Sequence, residues 1–149
     1  MACVILIVYC SLTVVQNRIW AQEDVFFEAQ VQAAPFSAKA HYNLGQIRQR
    51  AGLMDRALAR YEKAVLLWPK YADAYHNMGA LYREKKDYAS AVEAYKKAIS
   101  LKANPALTYF NLSNLYYEIG DVDQTIEGYL KVIQLSPDYF QAYVNLGTV

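Results

Sequence analysis

A repeat of 34 residues constrains the fold of this chain more than any other feature of its sequence. Four similar segments follow one another at this spacing, with no insertion between them. They are His41-Tyr-Asn-Leu-Gly45, Tyr75-His-Asn-Met-Gly79, Tyr109-Phe-Asn-Leu-Ser113 and Tyr143-Val-Asn-Leu-Gly147. Other columns keep the same register, among them Tyr61, Tyr95 and Tyr129, and Pro35, Pro69 and Pro137. A fixed period of this length is typical of stacked supersecondary units, so the chain is predicted to be a repeat array.

The pattern resembles the tetratricopeptide repeat (TPR), a helix–turn–helix unit of the same length. This resemblance implies an all-α fold, a right-handed TPR solenoid of helical hairpins in which each hairpin buries its apolar face against its neighbours. We expect whole repeats over 38–71, 72–105 and 106–139, and the start of a truncated fourth repeat over 140–149. That fourth repeat has no second helix, so we expect its residues to fray.

Small and large side chains alternate between the columns in the way that close helix packing requires. Gly45 and Gly79 are small where helices approach, and Tyr61 and Tyr95 supply bulk opposite them. Some columns are interrupted, with Arg48 where later repeats have tyrosine and Ser113 where the other repeats have glycine. Asp121, followed three residues later by Gln124, predicts a capping box at the start of a helix.

The N-terminal residues 1–17 contain no charged side chain, and Arg18 is the first. As a helix, this segment would span about 26 Å, just short of the ~30 Å hydrocarbon core of a bilayer. We interpret it as the end of a transmembrane helix that precedes the repeats. A secretory signal peptide and a buried helix or strand remain alternatives, although no positive leader or small-residue cleavage site is clear.

The segment 18–37 joins the apolar stretch to the first repeat. Phe27 and Pro35 keep the repeat register, which indicates a linker followed by a degenerate half-repeat. The passage from Asn17-Arg-Ile-Trp20 to His41-Tyr-Asn-Leu-Gly45 is similar to the junction in the transmembrane-and-TPR protein family. That family includes O-mannosyltransferases of the endoplasmic reticulum membrane whose repeats face the lumen. The resemblance implies an extracytoplasmic array that recruits protein substrate to a catalytic membrane part lying upstream.

A stand-alone cytoplasmic adaptor for complex assembly is the alternative function. In either case the chain itself is expected to bind protein rather than catalyse a reaction. It has no nucleophile elbow, phosphate-binding loop or metal-ligand spacing, so no cofactor and no metal are expected. Lys and Arg total 15 against 14 Asp and Glu, a formal charge of +1 that gives no indication of a nucleic-acid partner.

A concave groove lined by the first helices is the ligand site that the TPR resemblance implies. One asparagine recurs in each repeat of this groove, and inside a helix it costs roughly 0.6 kcal/mol relative to alanine. A row of carboxamides can hold an extended peptide backbone, because each group both donates and accepts hydrogen bonds. Alternatively, these asparagines cap or bridge neighbouring first helices. The candidate groove residues are Asn43, Asn77, Asn111, Asn145, Tyr42, Gln46, His76, Phe110 and Asn114.

Overall fold

The computed structural model describes residues 22–149, and every regular element in that range is an α-helix. The all-α prediction is therefore confirmed for the described residues. The helices are α1 over 22–33, α2 Ala38–Arg50, α3 Met54–Leu67, α4 Ala72–Glu84, α5 Tyr88–Ser100, α6 Pro105–Ile119, α7 Val122–Leu135 and α8 Phe140–Leu146. The predicted membrane helix at 1–17 lies outside this range. Between residues 22 and 149, no helix is long and apolar enough to cross a bilayer.

The helices pack as hairpins within two compact units, one ending at Leu67 and the other running from Trp68 to Val149. In the first unit α2 packs against α3, and α1 contributes Phe27 and Val31 to a cluster with Ala40 and Leu44. In the second unit α4 pairs with α5 and α6 pairs with α7. Contacts between α5 and α6 and between α7 and α8 then join consecutive hairpins.

Each of the first two hairpins is closed by a tyrosine ring that lies directly on a glycine. A Cβ atom built on Gly45 would lie 2.6 Å from Cε1 of Tyr61, and one on Gly79 would lie 2.7 Å from Cδ1 of Tyr95. Both tyrosines are almost completely buried. Because any side chain at these glycines would displace the ring, the contact confirms the alternation of small and large residues predicted from the repeat.

The third hairpin solves the same packing problem with a different pair of residues. Ser113 replaces the expected glycine, is fully buried, and donates a hydrogen bond to the Tyr109 carbonyl at 2.7 Å. Facing it on α7 is Gly128, where a Cβ atom would lie only 2.0 Å from Oγ of Ser113. The repeat-equivalent of Gly128 in the second hairpin is Ala94. In the third hairpin the glycine therefore lies on the second helix, α7, whereas in the first two hairpins it lies on the first helix.

Arg48 departs from its tyrosine column because it binds α1. Its guanidinium lies 3.0 Å from Asp24 Oδ1 and 2.5 Å from Glu28 Oε2, and only 12% of its side chain is exposed. Arg60 on α3 contacts the other oxygen of Glu28 at 3.2 Å. A tyrosine at position 48 could not neutralise these two carboxylates, so the exception in the repeat marks the docking site of the preceding helix.

Glycines end helices α2 and α6, and the capping box predicted at the start of α7 forms only in part. Gly52 and Gly120 adopt the left-handed conformation after α2 and α6, with φ of 74° and 81°. Asp121 caps α7 by accepting from the Gln124 amide at 3.1 Å, but the reciprocal half of the predicted capping box is absent. The Gln124 side chain bonds to Glu127 instead, and the Asp121 amide donates to the Tyr116 carbonyl. The backbone N–H of Asp121, which the capping box would use as its second donor, is therefore bonded to the C-terminal turn of α6.

Candidate functional site

Side chains from the first helices α4, α6 and α8 meet on one face of the second unit, which we call the polar face. Its members are His76, Arg83, Asn111, Asn114, Glu118 and Asn145. They form three sets of contacts, each joining one hairpin to the next. The predicted site residues His76, Asn111, Asn114 and Asn145 belong to this face.

The first contact joins His76 on α4 to Thr108 and Asn111 on α6. Nδ1 of His76 lies 2.9 Å from Oγ1 of Thr108, and Nε2 lies 3.4 Å from Nδ2 of Asn111. The imidazole also meets the Tyr95 ring edge-on, with centroids 5.7 Å apart. Burial lowers the pKa of His76 below its usual 6.5, although Asp73 opposes this shift. The imidazole is therefore neutral at physiological pH.

A second contact joins α6, α7 and α8 through two carboxamides and a phenol. The Tyr129 hydroxyl donates to Oδ1 of Asn114 at 2.6 Å. Nδ2 of Asn145 lies 3.1 Å from the same oxygen and 3.2 Å from the Tyr129 hydroxyl oxygen. Burial raises the pKa of Tyr129, so the phenol keeps its proton and remains a donor. The repeated asparagine of α8 thus bridges to both helices of the preceding hairpin, α6 and α7.

An ion pair between Arg83 and Glu118 lies between these two contacts. Nε of Arg83 lies 3.1 and 3.0 Å from the two carboxylate oxygens, and Nη2 also contacts Oε1. The Arg83 side chain hydrogen-bonds Glu118 and holds the pKa of that carboxyl below its usual value. Both residues line a groove of about 520 Å³ that also includes Asn111 and Tyr95. The groove therefore offers both charges and a carboxamide to a ligand.

The remaining predicted site residues have other surroundings. In the first unit, Nε2 of Gln46 donates to the Tyr42 hydroxyl at 3.0 Å, and Asn43 lies half-buried on the same helix. Asn77 is half-buried on α4. Phe110 packs its ring against Tyr129 and Tyr139 at centroid distances of 5.9 and 5.0 Å, so it belongs to the apolar cluster around α7 and α8.

Thr108 is a member of the polar network that the sequence reasoning missed. Its column is alanine in the other repeats, at positions 40, 74 and 142. Thr108 is fully buried, and its hydroxyl donates to the Ala103 carbonyl at 2.7 Å. His76 is likewise the polar exception in a column of Tyr42, Phe110 and Val144. His76 and Thr108 thus each place a polar residue in an otherwise apolar column, in adjacent repeats and two positions apart in register. This coincidence is the sequence signal that could have indicated a contact between them.

A larger cavity of about 600 Å³ lies elsewhere in the second unit, between α5, α6 and α7. Its lining includes Lys96, Gln124, Lys131 and Gln134, and none of the predicted site residues. Among residues 22–149, no cluster of three or more His, Cys, Asp or Glu side chains could hold a metal ion. The polar face and this cavity are therefore two separate surfaces where a protein ligand could bind.

Comparison with known proteins fits the hairpin geometry. The family model for the tetratricopeptide repeat matches residues 36–104, and a second TPR repeat model matches residues 113–149. The chain belongs to the tetratricopeptide repeat family. A crystal structure of MamA is similar at 26% identity and a TM-score of 0.83, covering 89% of this chain and 78% of MamA. YrrB, described as a TPR protein with an unusual peptide-binding site, shares the fold at 21% identity and a TM-score of 0.74, over 81% of this chain and 62% of YrrB.

Part of the chain is also similar in sequence to protein O-mannosyl-transferases. The human protein O-mannosyl-transferase TMTC1 is 33% identical over 67 residues, which are 45% of this chain and 8% of that protein. The mouse protein of the same name is also 33% identical over 67 residues, 45% of this chain and 7% of its own length. The chain therefore spans less than a tenth of the length of these relatives. The match agrees with the family resemblance noted at the N-terminal junction.

Proposed function

We propose that this TPR protein binds an extended protein segment through the polar face. The observation that carries this proposal is the convergence of Asn111, Asn114 and Asn145 on the first helices of consecutive hairpins. A carboxamide presents two N–H donors and a carbonyl acceptor, which are the complements of a peptide backbone. A surface of this kind holds main chain without requiring one particular side chain, and its role is binding rather than catalysis.

The bridges between helices are compatible with this role. Nδ2 of Asn145 donates hydrogen bonds to Asn114 and Tyr129, and Nδ2 of Asn111 donates to His76. These contacts fix the rotamers of both side chains before a ligand arrives, which lowers the entropic cost of binding. YrrB has the same fold and a peptide-binding site, and a peptide is also the ligand class proposed here.

Peptide display tests this proposal. Random peptides on phage would be selected against the immobilised chain, and the affinity of the best peptide measured by fluorescence anisotropy. We expect Asn111→Ala combined with Asn145→Ala to weaken binding about 30-fold, since two lost hydrogen bonds at roughly 1 kcal/mol each remove roughly 2 kcal/mol. The matched control is Gln134→Ala, an exposed residue of the cavity between α5, α6 and α7. Equal affinity of both variants would contradict the proposal.

We further propose that the chain is the extracytoplasmic part of a membrane protein related to the O-mannosyltransferases, and recruits protein substrate to it. The apolar segment 1–17, the junction that follows it and the partial similarity to TMTC1 support this proposal. A stand-alone adaptor for complex assembly is the second candidate, because the TPR fold alone serves both roles.

Translation into microsomes distinguishes these candidates. The chain would carry an added N-glycosylation acceptor after Val149, and its membrane association would be tested by alkaline extraction. Glycosylation of the added acceptor together with resistance to extraction is the result expected for a membrane-anchored, lumenal array. An unglycosylated and extractable product would favour the adaptor.

A further inference from the structure

We infer that His76 is a positioning residue that sets which end of the Asn111 carboxamide faces a ligand, and that its protonation weakens peptide binding on the polar face. The inference rests on the proposed peptide-binding function. It concerns a regulation of that site, which follows from the hydrogen-bond network between α4 and α6.

The network specifies the tautomer of His76. The Thr108 hydroxyl donates its single proton to a backbone carbonyl, with Ala103 O at 2.7 Å and Asn104 O at 3.1 Å. Its oxygen can then only accept from Nδ1 of His76, 2.9 Å away. The neutral imidazole therefore carries its proton on Nδ1, and Nε2 is an acceptor.

An acceptor at Nε2 orients Asn111. The amide nitrogen Nδ2 of Asn111 lies 3.4 Å from Nε2, which is the arrangement that an unprotonated ring nitrogen requires. Oδ1 lies at the opposite end of the same planar group and is presented as an acceptor for a peptide N–H. Asn111 lines the groove beside Arg83 and Glu118, so this orientation determines part of the ligand-binding surface.

Protonation reverses the orientation. With a proton on Nε2, both ring nitrogens are donors, and Nδ2 of Asn111 can no longer donate to the ring. The carboxamide must rotate so that Oδ1 faces the imidazolium. The N–H groups of Asn111 then face the ligand in the place where Oδ1 had accepted a hydrogen bond. A peptide bound by its N–H at this position loses one hydrogen bond.

The surroundings of the ring favour the neutral state at physiological pH. Asp73 on α4 acts electrostatically on the imidazole, the Tyr95 ring on α5 meets its edge, and the contacts from α6 are the neutral Thr108 and Asn111. Burial outweighs Asp73 and lowers the pKa of His76, while burial raises the pKa of Tyr95 to about 12. Protonation of His76 therefore takes place below neutrality, with Tyr95 uncharged throughout.

A ligand-free NMR titration tests the link between the two residues. The ¹⁵N shifts of the His76 ring report the tautomer, and the side-chain amide of Asn111 reports its orientation. We expect Nδ1 to carry the proton at neutral pH, and the Asn111 amide signals to move with the His76 titration. A neutral ring protonated on Nε2, or an Asn111 amide that is insensitive to His76, would overturn the inference.

Binding of the display-selected peptide, measured between about pH 7.5 and about pH 5, tests the consequence for the ligand. We expect the affinity of the natural chain to fall about 2- to 10-fold, the value of one hydrogen bond. The His76→Phe variant serves as the control because the equivalent residue of the next repeat is Phe110. This variant should bind with little pH dependence, and circular dichroism at each pH would verify that both chains stay folded.

The outcomes separate the regulation from the binding function. A pH dependence that is the same in His76→Phe and the natural chain would overturn the inference and leave the proposed function intact. If selection yields no binding peptide, the proposed function fails. In that case the NMR titration alone supports or overturns the control of Asn111 by His76.

Discussion

At the scale of single residues, the third hairpin shows how the repeat accommodates an exception. Ser113 occupies a glycine column, and Gly128 on the facing helix lacks the Cβ that Ala94 has one repeat earlier. The serine hydroxyl fills the space and satisfies its own hydrogen bond to Tyr109 at 2.7 Å. The two positions are therefore coupled, and neither is explained alone.

Substitution of Gly128 tests this coupling. Gly128→Ala should destabilise the protein by about 1–3 kcal/mol, because the new methyl group would overlap Oγ of Ser113. The double variant with Ser113→Gly recreates the Gly79–Ala94 pair and should recover most of the loss. Chemical denaturation of the two single variants and the double variant gives the coupling free energy. Additive effects would contradict the packing described here.

Lys86 is strained at a position where the other repeats have glycine. Its φ is 61°, and the equivalent residues Gly52 and Gly120 have similar left-handed conformations. Lys86→Gly should therefore stabilise the protein by about 0.5–1 kcal/mol, after the entropic cost of glycine is subtracted. The control is Lys85→Gly, where φ is −76° and glycine should destabilise. Thermal unfolding of both variants would show opposite shifts in Tm.

The lowered pKa of His76 also predicts a pH dependence of stability. The unfolded chain takes up a proton at the usual histidine pKa of 6.5, before the folded chain does. The contribution of neutral His76 is thus complete above that pH, and it is lost as the pH falls toward the lowered pKa of the folded state. The Tm of the natural chain should fall more steeply between about pH 7 and about pH 5 than that of His76→Phe. Parallel curves would refute this assignment.

At the scale of helices, α1 is held to the first hairpin by charge as well as by apolar contact. Arg48 and Arg60 neutralise Asp24 and Glu28, whose side chains are partly buried. Phe27 and Val31 extend the same contact into the cluster of α2. Helix α1 is thereby an integral part of the first unit.

Removal of the Arg48 charge should release α1. Arg48→Met keeps the aliphatic length but leaves two partly buried carboxylates without their partner, at a cost of about 1–3 kcal/mol. Amide hydrogen exchange should accelerate over 22–33, while α4–α8 retain their protection. Arg50→Met is the control, because Arg50 is 60% exposed and lies 3.7 Å from Glu23. This surface pair should contribute less than about 0.5 kcal/mol.

The repeat predicted the fold more completely than the candidate site, for a physical reason. Gly45, Gly79 and their tyrosines report contacts inside one hairpin, which every repeat must make in the same way. The bonds of His76 to Thr108 and Asn111 join different hairpins, and they depend on two exceptional residues meeting. The consensus of each repeat column does not contain these exceptional residues, so it cannot predict the contacts between them.

The same limit applies to the repeated asparagines. Their spacing predicts a shared face, on which one asparagine of each repeat is a candidate groove residue. Asn145 bonds to Asn114 rather than to the previous member of its own column, Asn111. Which neighbour a carboxamide meets depends on the offset between first helices, and a repeat length does not contain that offset.

At the scale of the whole molecule, the account depends on which surface of the second unit receives a ligand. On the polar face, Asn111 lines a recess of about 520 Å³, Asn114 and Asn145 line a neighbouring one of about 240 Å³, and the Arg83–Glu118 pair borders both. The cavity between α5, α6 and α7 is larger, at about 600 Å³, and its carboxamides and charges come from the second helices α5 and α7, as in Lys96, Gln124 and Gln134. The central claim is that the asparagines of the first helices, rather than cavity volume, select the site.

Amide chemical-shift mapping with the display-selected peptide tests this claim most directly. The account predicts that the shifted signals fall on α4, α6 and α8, and include the side-chain amides of Asn111 and Asn145. Backbone signals around Lys96, Gln124 and Lys131 should stay unchanged. Shifts confined to those three residues and their neighbours would place the peptide in the larger cavity, and would contradict the account.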